Sequence, residues 1–179
     1  MPDEILRLAR AAASWRPACT ETYNSRVKVY LDLCCLKRPF DSQEHPLVRM
    51  ETEAVVALLG APAGRLHLVR SAAHALENAF NTVVSRRDAV SQWLAQAPLD
   101  LVPVSDLLSR ALALSSVGFP RFDSLHLASA ELSRADVFVT VDYPLFNRAR
   151  KHSGLIQVRV SDPGRLAEEV FRGPGHRES

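Results

Sequence analysis

The sequence predicts an α/β fold, with a mainly parallel central sheet covered by helices on both faces. Three observations carry that expectation. Apolar runs of strand length recur along the chain, segments with helix-type ends separate them, and two of the runs stop at an aspartate. The runs 27–33 and 137–141 are rich in β-branched and aromatic residues and read as short buried strands. Strands that alternate with helices favour parallel pairing, and a parallel sheet needs a helix layer on each face. A chain of 179 residues is read as one main domain, long enough to bury a sizeable core.

The elements follow in order. Residues 3–15 are predicted to form a helix behind Pro2, within an N-terminal helical arm covering 1–26. The strand 27–33 opens the main domain, taken as 27–172, and a loop at 37–41 follows. Pro46, at a first helical position, opens a helix to Leu59 that closes at Gly60. Residues 66–71 alternate as a second strand, and the helix 72–80 carries Glu77. Ser85 with Asp88 reads as a capping box ahead of a helix reaching Ala95. Residues 100–104 are predicted as a third strand, with Ser105 capping a helix through Leu114. Gly118 and Pro120 break the chain before a helix at 121–132. The strand 137–141 leads to a helix from Pro144 to about His152, closed by Gly154, and then to a strand at 156–160. Asp162 and Pro163 open a last helix, and 173–179 read as a loose tail.

Composition excludes several classes. Hydrophobic residues make up 47% of the chain, which argues against disorder. No apolar run approaches the ~18 residues of a membrane span, and the first residues lack a charged-then-apolar signal pattern. The expectation is a cytoplasmic protein that does not engage a membrane. A formal charge of +2 places any nucleic-acid footprint locally rather than globally. The cysteines are Cys19, Cys34 and Cys35, an odd count with no C-x-x-C spacing. That pattern does not suit a disulfide framework or a structural zinc site. Cys34 and Cys35 are read as small buried residues beside the core.

The chemistry-bearing residues are acids. Asp32 and Asp142 end the two apolar runs, and ligands of open parallel sheets bind outside the carboxyl ends of strands. Glu77 and Asp123 fall on helices predicted to reach the same side. Carboxylates gathered there repel by roughly 4 kcal/mol per close pair at an effective dielectric near 20. A divalent cation relieves that repulsion, and an all-oxygen set suits Mg²⁺ or Mn²⁺. Thr140 shares a strand face with Asp142 and is placed to hydrogen-bond a carboxylate. Lys37, Arg38 and Arg121 flank the acids and are candidates for phosphate contacts. Arg86-Arg87 and Arg148-Ala149-Arg150-Lys151 are further basic clusters. Glu53 is read as a solvated charge, and His126 as a packed helix residue rather than a general base.

Four segments together resemble the PIN-domain family. They are Leu31-Asp32-Leu33-Cys34-Cys35-Leu36-Lys37-Arg38-Pro39-Phe40-Asp41, Ser71 followed by Glu77, Asp123-Ser124-Leu125-His126-Leu127-Ala128-Ser129-Ala130, and Val139-Thr140-Val141-Asp142. They occur in the family's order across residues 27–160. The resemblance implies a three-layer, Rossmann-like α/β/α sandwich and a Mg²⁺- or Mn²⁺-dependent ribonuclease. Asp32, Glu77, Asp123 and Asp142 would form its acidic metal-binding set. Many bacterial and archaeal members are toxins of VapBC-type toxin–antitoxin pairs, so RNA and an antitoxin protein are the implied partners. Leu33 follows Asp32 where many members carry Thr or Ser, and Tyr143-Pro144-Leu145-Phe146 follows Asp142 where many carry another acid or polar residue. The alternative is a non-catalytic PIN-like module that binds RNA or protein. A haloacid-dehalogenase-type phosphatase requires an aspartate at position 34, which is cysteine. A Rossmann cofactor site requires glycines that 32–38 lack. A homodimer is also expected, by resemblance and because the apolar stretches 54–59 and 89–94 look larger than one sheet face can cover.

Overall fold

The computed structural model describes residues 27–62 and 64–172. The predicted arm at 1–26 and the tail at 173–179 lie outside the described residues. The strands are β1 (Val27–Leu31), β2 (Leu66–Val69), β3 (Val137–Val139) and β4 (Arg159–Ser161). The helices are α1 (Leu33–Lys37), α2 (Pro46–Leu59), α3 (Ala72–Ala79), α4 (Val84–Gln96), α5 (Val104–Ser116), α6 (Arg121–Leu132), α7 (Tyr143–Lys151) and α8 (Pro163–Arg172). A 3₁₀ turn at Arg38–Phe40 follows α1.

All strand pairs are parallel, in the order β2-β1-β3-β4. Tyr30 sits opposite Val69 on one side and Phe138 on the other. The two-residue period of a strand sorts the side chains into two cores. Val29, Leu31, Val137 and Val139 face α2, α4 and α8, where Val55, Leu58, Trp93 and Leu166 cover them. Tyr30 and Phe138 face α5, α6 and α7, against Leu114, Leu127 and Leu145. The result is the expected three-layer α/β/α sandwich.

The strand order creates a switch point. From β1 the chain moves to β2 on one side, then returns to place β3 on the other side of β1. Successive connections therefore leave in opposite directions, and a crevice opens outside the carboxyl ends of β1 and β3. Asp32 and the segment Thr140–Asp142 follow those two ends directly.

Several boundaries differ from expectation, each for a local reason. The first strand stops at Leu31, because Asp32, whose N still donates to Val139 O, turns its carbonyl to accept from Cys35 N and starts α1. Residues 37–41 are wound rather than open, with Pro39 inside the 3₁₀ turn. The predicted strand at 100–104 is absent. Leu99 alone bridges Arg70, and Leu101 is 86% exposed. Pro98 precedes this segment and Pro103 lies within it, and a proline cannot donate to a ladder. Pro103, not Ser105, is the N-cap of α5. Val83 is the N-cap of α4 and makes no side-chain cap, so the Ser85–Asp88 capping box does not form. The end of α7 is capped by His152 rather than Gly154, and β4 begins at Arg159 rather than Ile156.

The apolar stretches invoked for self-association are covered in part within the chain, with Ala54, Val56 and Leu59 half-buried and Ala57 exposed. Val55, Leu58, Ala89, Val90, Trp93 and Leu94 are all buried. No described helix is long and apolar enough to cross a membrane.

Candidate metal centre

The crevice is built around Asp32, which is only 7% exposed. Its backbone N donates to Val139 O at 2.8 Å, tying it to β3. Its Oδ2 accepts from Thr140 Oγ1 at 2.8 Å and from Cys34 Sγ at 2.9 Å. Thr140, directly after β3, thus supplies a hydroxyl that holds Asp32. The same Oγ1 accepts from Asp142 N at 3.0 Å, so Thr140 orients both strand-end aspartates.

Glu77 reaches the crevice from α3. That helix begins at Ser71, whose backbone N donates to His74 Nδ1 at 3.0 Å. His74 Nε2 then donates to Leu31 O at 2.7 Å, clamping the start of α3 onto the end of β1. Burial pushes the His74 imidazole down to about 3, and His126 beside it adds to the effect. Glu77 Oε1 pairs with Lys37 Nζ at 2.8 Å, and Oε2 lies 2.8 Å from His126 Nε2. Burial alone would raise this carboxyl. The hydrogen bonds from His126 and Lys37 outweigh it and hold Glu77 at about 2.

Asp32, Glu77 and His126 present ligand atoms that all lie within 4.8 Å of one another. This group can hold a divalent cation. His126 Nε2 has two possible uses, as a ligand or as a donor to Glu77, and cannot serve both at once. In the structure it faces a carboxylate that only accepts, so Nε2 carries the proton.

Asp123 and Asp142 stand outside that 4.8 Å group but share its field. Asp123 lies in the first turn of α6. Burial, then the like charges of Asp32 and Asp142, push its carboxyl up to about 6. Asp142 Oδ1 accepts from Leu145 N at 2.9 Å and caps α7, which commits one of its two oxygens to structure.

The flanking cations divide by their partners. Lys37 is held by Glu77 at the rim. Arg38 braces the loop after α1, with Asp41 at 3.1 Å, Glu51 at 3.0 Å and Val141 O at 3.5 Å. Arg121 is exposed two residues before Asp123. Arg86 pairs with Phe40 O at 2.9 Å, and Arg148 lies over the Phe119 ring at 5.8 Å. Glu53 is exposed, as expected, whereas the neighbouring Glu51 is buried against Arg38.

Sequence reasoning passed over His126 and Cys34 as members of the site. His126 is buried and hydrogen-bonded as expected, but it also belongs to the ligand group. The signal was present, because positions 123 and 126 share one face of a helix. A cavity of about 480 Å³ between α3, α4 and α5 is lined by Leu99, Leu101, Val104 and Leu107 and holds none of the four acids.

The field makes a prediction for the metal-free chain. An acid whose folded pKa is raised lowers stability above that pKa, and the penalty fades as pH falls toward its unfolded value. Asp123→Asn should therefore raise the melting temperature in EDTA at about pH 7.5. It should have no effect near pH 4. The gain is about 1–2 kcal/mol, discounted from the nominal shift because the carboxyl is partly solvated. Equal melting of variant and parent at about pH 7.5 would remove the case for repulsion among the aspartates.

No protein-family model matches the chain, and no curated protein matches it.

Proposed function

We propose that this chain is a Mg²⁺- or Mn²⁺-dependent endoribonuclease acting on single-stranded RNA, and that it serves as the toxin of a VapBC-type toxin–antitoxin pair. One observation supports this above all others. Asp32, Glu77 and His126 gather at the switch point of a parallel sheet, and Asp123 nearby is raised by burial and then by the charges of Asp32 and Asp142. Asp32 and Glu77 would hold the cation, with Asp123 and Asp142 on the same rim. When bound, a divalent cation polarises a phosphoryl oxygen and acidifies a coordinated water.

The chain's own residues do the rest. Thr140 and the ladder bond to Val139 fix Asp32 in one orientation. Lys37 and His126 fix both oxygens of Glu77. Arg121 stands beside Asp123 with its head in solvent, and Lys37 can exchange Glu77 for a backbone phosphate. Such contacts position the strand without reading its sequence. Single-stranded RNA suits a crevice of this kind, because an unpaired strand can lay one phosphodiester against the acids.

The test is incubation of the purified chain with a labelled single-stranded RNA oligomer, with Mg²⁺, with Mn²⁺ and with EDTA. Cleavage confined to the metal-containing samples is expected. Cleavage undiminished in EDTA overturns the metal reading, and RNA binding without cleavage in any sample leaves the non-catalytic module instead.

A further inference from the structure

We propose that Tyr30 is a positioning residue of the metal centre: its buried hydroxyl bonds to His126 Nδ1, holds that ring in one orientation and so keeps the Glu77 carboxylate in place. The inference rests on the metal-centre reading above and names a residue that does not itself touch the cation.

Tyr30 lies within β1, 0% exposed, between the rings of Phe138 at 5.6 Å and His74 at 4.5 Å. A phenylalanine would fill that space without a hydroxyl to satisfy, and burying an unpaired hydroxyl is costly. This hydroxyl has two partners, Ser71 Oγ at 2.7 Å and His126 Nδ1 at 2.8 Å. Their directions follow from one end of the chain. Glu77 only accepts, so His126 Nε2 carries a proton. In the neutral ring Nδ1 is then the acceptor, and Tyr30 donates to it. The Tyr30 oxygen, in turn, accepts from Ser71. The hydrogen bonds run in one sense, from Ser71 through Tyr30 and His126 to Glu77.

The consequence lies at the far end. With the Tyr30 hydroxyl present, Nδ1 is fixed as acceptor and Nε2–H points at Glu77. Without it, Nδ1 loses its buried partner and the ring is free to turn away from the line that joins Tyr30 to Glu77. Glu77 then loses one of the two donors that orient it. The effect reaches the cation through two intervening side chains, so it changes affinity rather than ligand identity.

The experiment is a double-mutant cycle on the full chain, read by titration with Mn²⁺ alone and detection of the free ion by electron paramagnetic resonance. Tyr30→Phe should weaken binding by about tenfold, the low end for outer-shell partners of metal ligands. His126→Gln removes the ring that carries the effect and should itself weaken binding by about tenfold, and in that background Tyr30→Phe should cost less than about twofold more. Equal losses in both backgrounds would mean that Tyr30 acts only through packing, and unchanged binding in Tyr30→Phe would overturn the proposal outright. Collapse of binding in His126→Gln would make His126 a direct ligand and also overturn it. A long-range ¹H–¹⁵N spectrum of the unmutated chain decides the matter even if Tyr30→Phe does not fold. A His126 ring protonated on Nε2 alone is expected, and a proton on Nδ1 overturns the chain of bonds. Failure of the parent to bind Mn²⁺ would instead sink the metal-centre reading, while the spectrum still decides the bonding.

Discussion

Asp32→Asn is expected to abolish Mn²⁺ binding and RNA cleavage while leaving the chain folded. The substitution removes a negative charge from the group that gathers Asp32, Glu77 and His126. An asparagine can still accept from Thr140 and Cys34 through its Oδ1, the role that Asp32 Oδ2 has now. Its NH₂ then faces the crevice, where a cation would be repelled. Affinity should fall by more than about 100-fold, beyond the range found for outer-shell partners. The circular dichroism spectrum should be unchanged. Metal-dependent cleavage at the parental rate in this variant would refute the assignment of Asp32 as a ligand.

Glu131→Ala is expected to cause the largest loss of stability. The Glu131 side chain is 2% exposed at the end of α6 and pairs with Arg110 of α5. Its Oε1 accepts from Arg110 Nη2 at 3.0 Å and from Gln157 N at 2.8 Å. Arg110 Nη2 also donates to Leu155 O at 2.7 Å, so one ion pair joins α5, α6 and the segment before β4. Truncating one partner strands the other, at a cost of about 3 kcal/mol, the low end of the range because Arg110 keeps some contact with water. For a domain of this size the melting temperature should drop by roughly 6–12 °C. A shift of under about 2 °C in a thermal melt would show that the pair contributes little. The same helix carries Asp123 and His126, so loosening it disturbs the site as well as the core.

Much of the architecture was legible because its signals are local. Pro46 and Gly60 mark the two ends of α2, and Pro120 marks the start of α6; both helices have the predicted bounds. The apolar runs at 27 and 137 became the two central strands. One failure arose where a short apolar stretch was read as a strand. Pro98 and Pro103 were legible warnings at 100–104, but nothing in that stretch reveals that it lies beyond the edge strand. In the site, Asp32 stood out because it ends a buried run. The partners that set its neighbours did not, since His126 meets Glu77 across 49 positions and Tyr30 across 96. A hydrogen-bond chain of that reach leaves no trace in spacing or composition. The tautomer of His126 follows only once the ring is seen against a carboxylate.

The position of β1 has a consequence for synthesis. It is the second strand of the sheet and the partner of both β2 and β3, yet β3 lies more than a hundred residues later in the chain. The bond from Thr140 to Asp32 spans 108 positions. Chains emerge from the ribosome amino end first and fold as their parts become available. A nascent chain that has passed α5 already carries Asp32 and Glu77, but it lacks the strand that locks Asp32 and the helix that bears Asp123 and His126. The crevice is therefore completed only after α6 and β3 have emerged. On the function proposed above, this order of assembly withholds a finished nuclease site from the chain's own message until those two elements have been made.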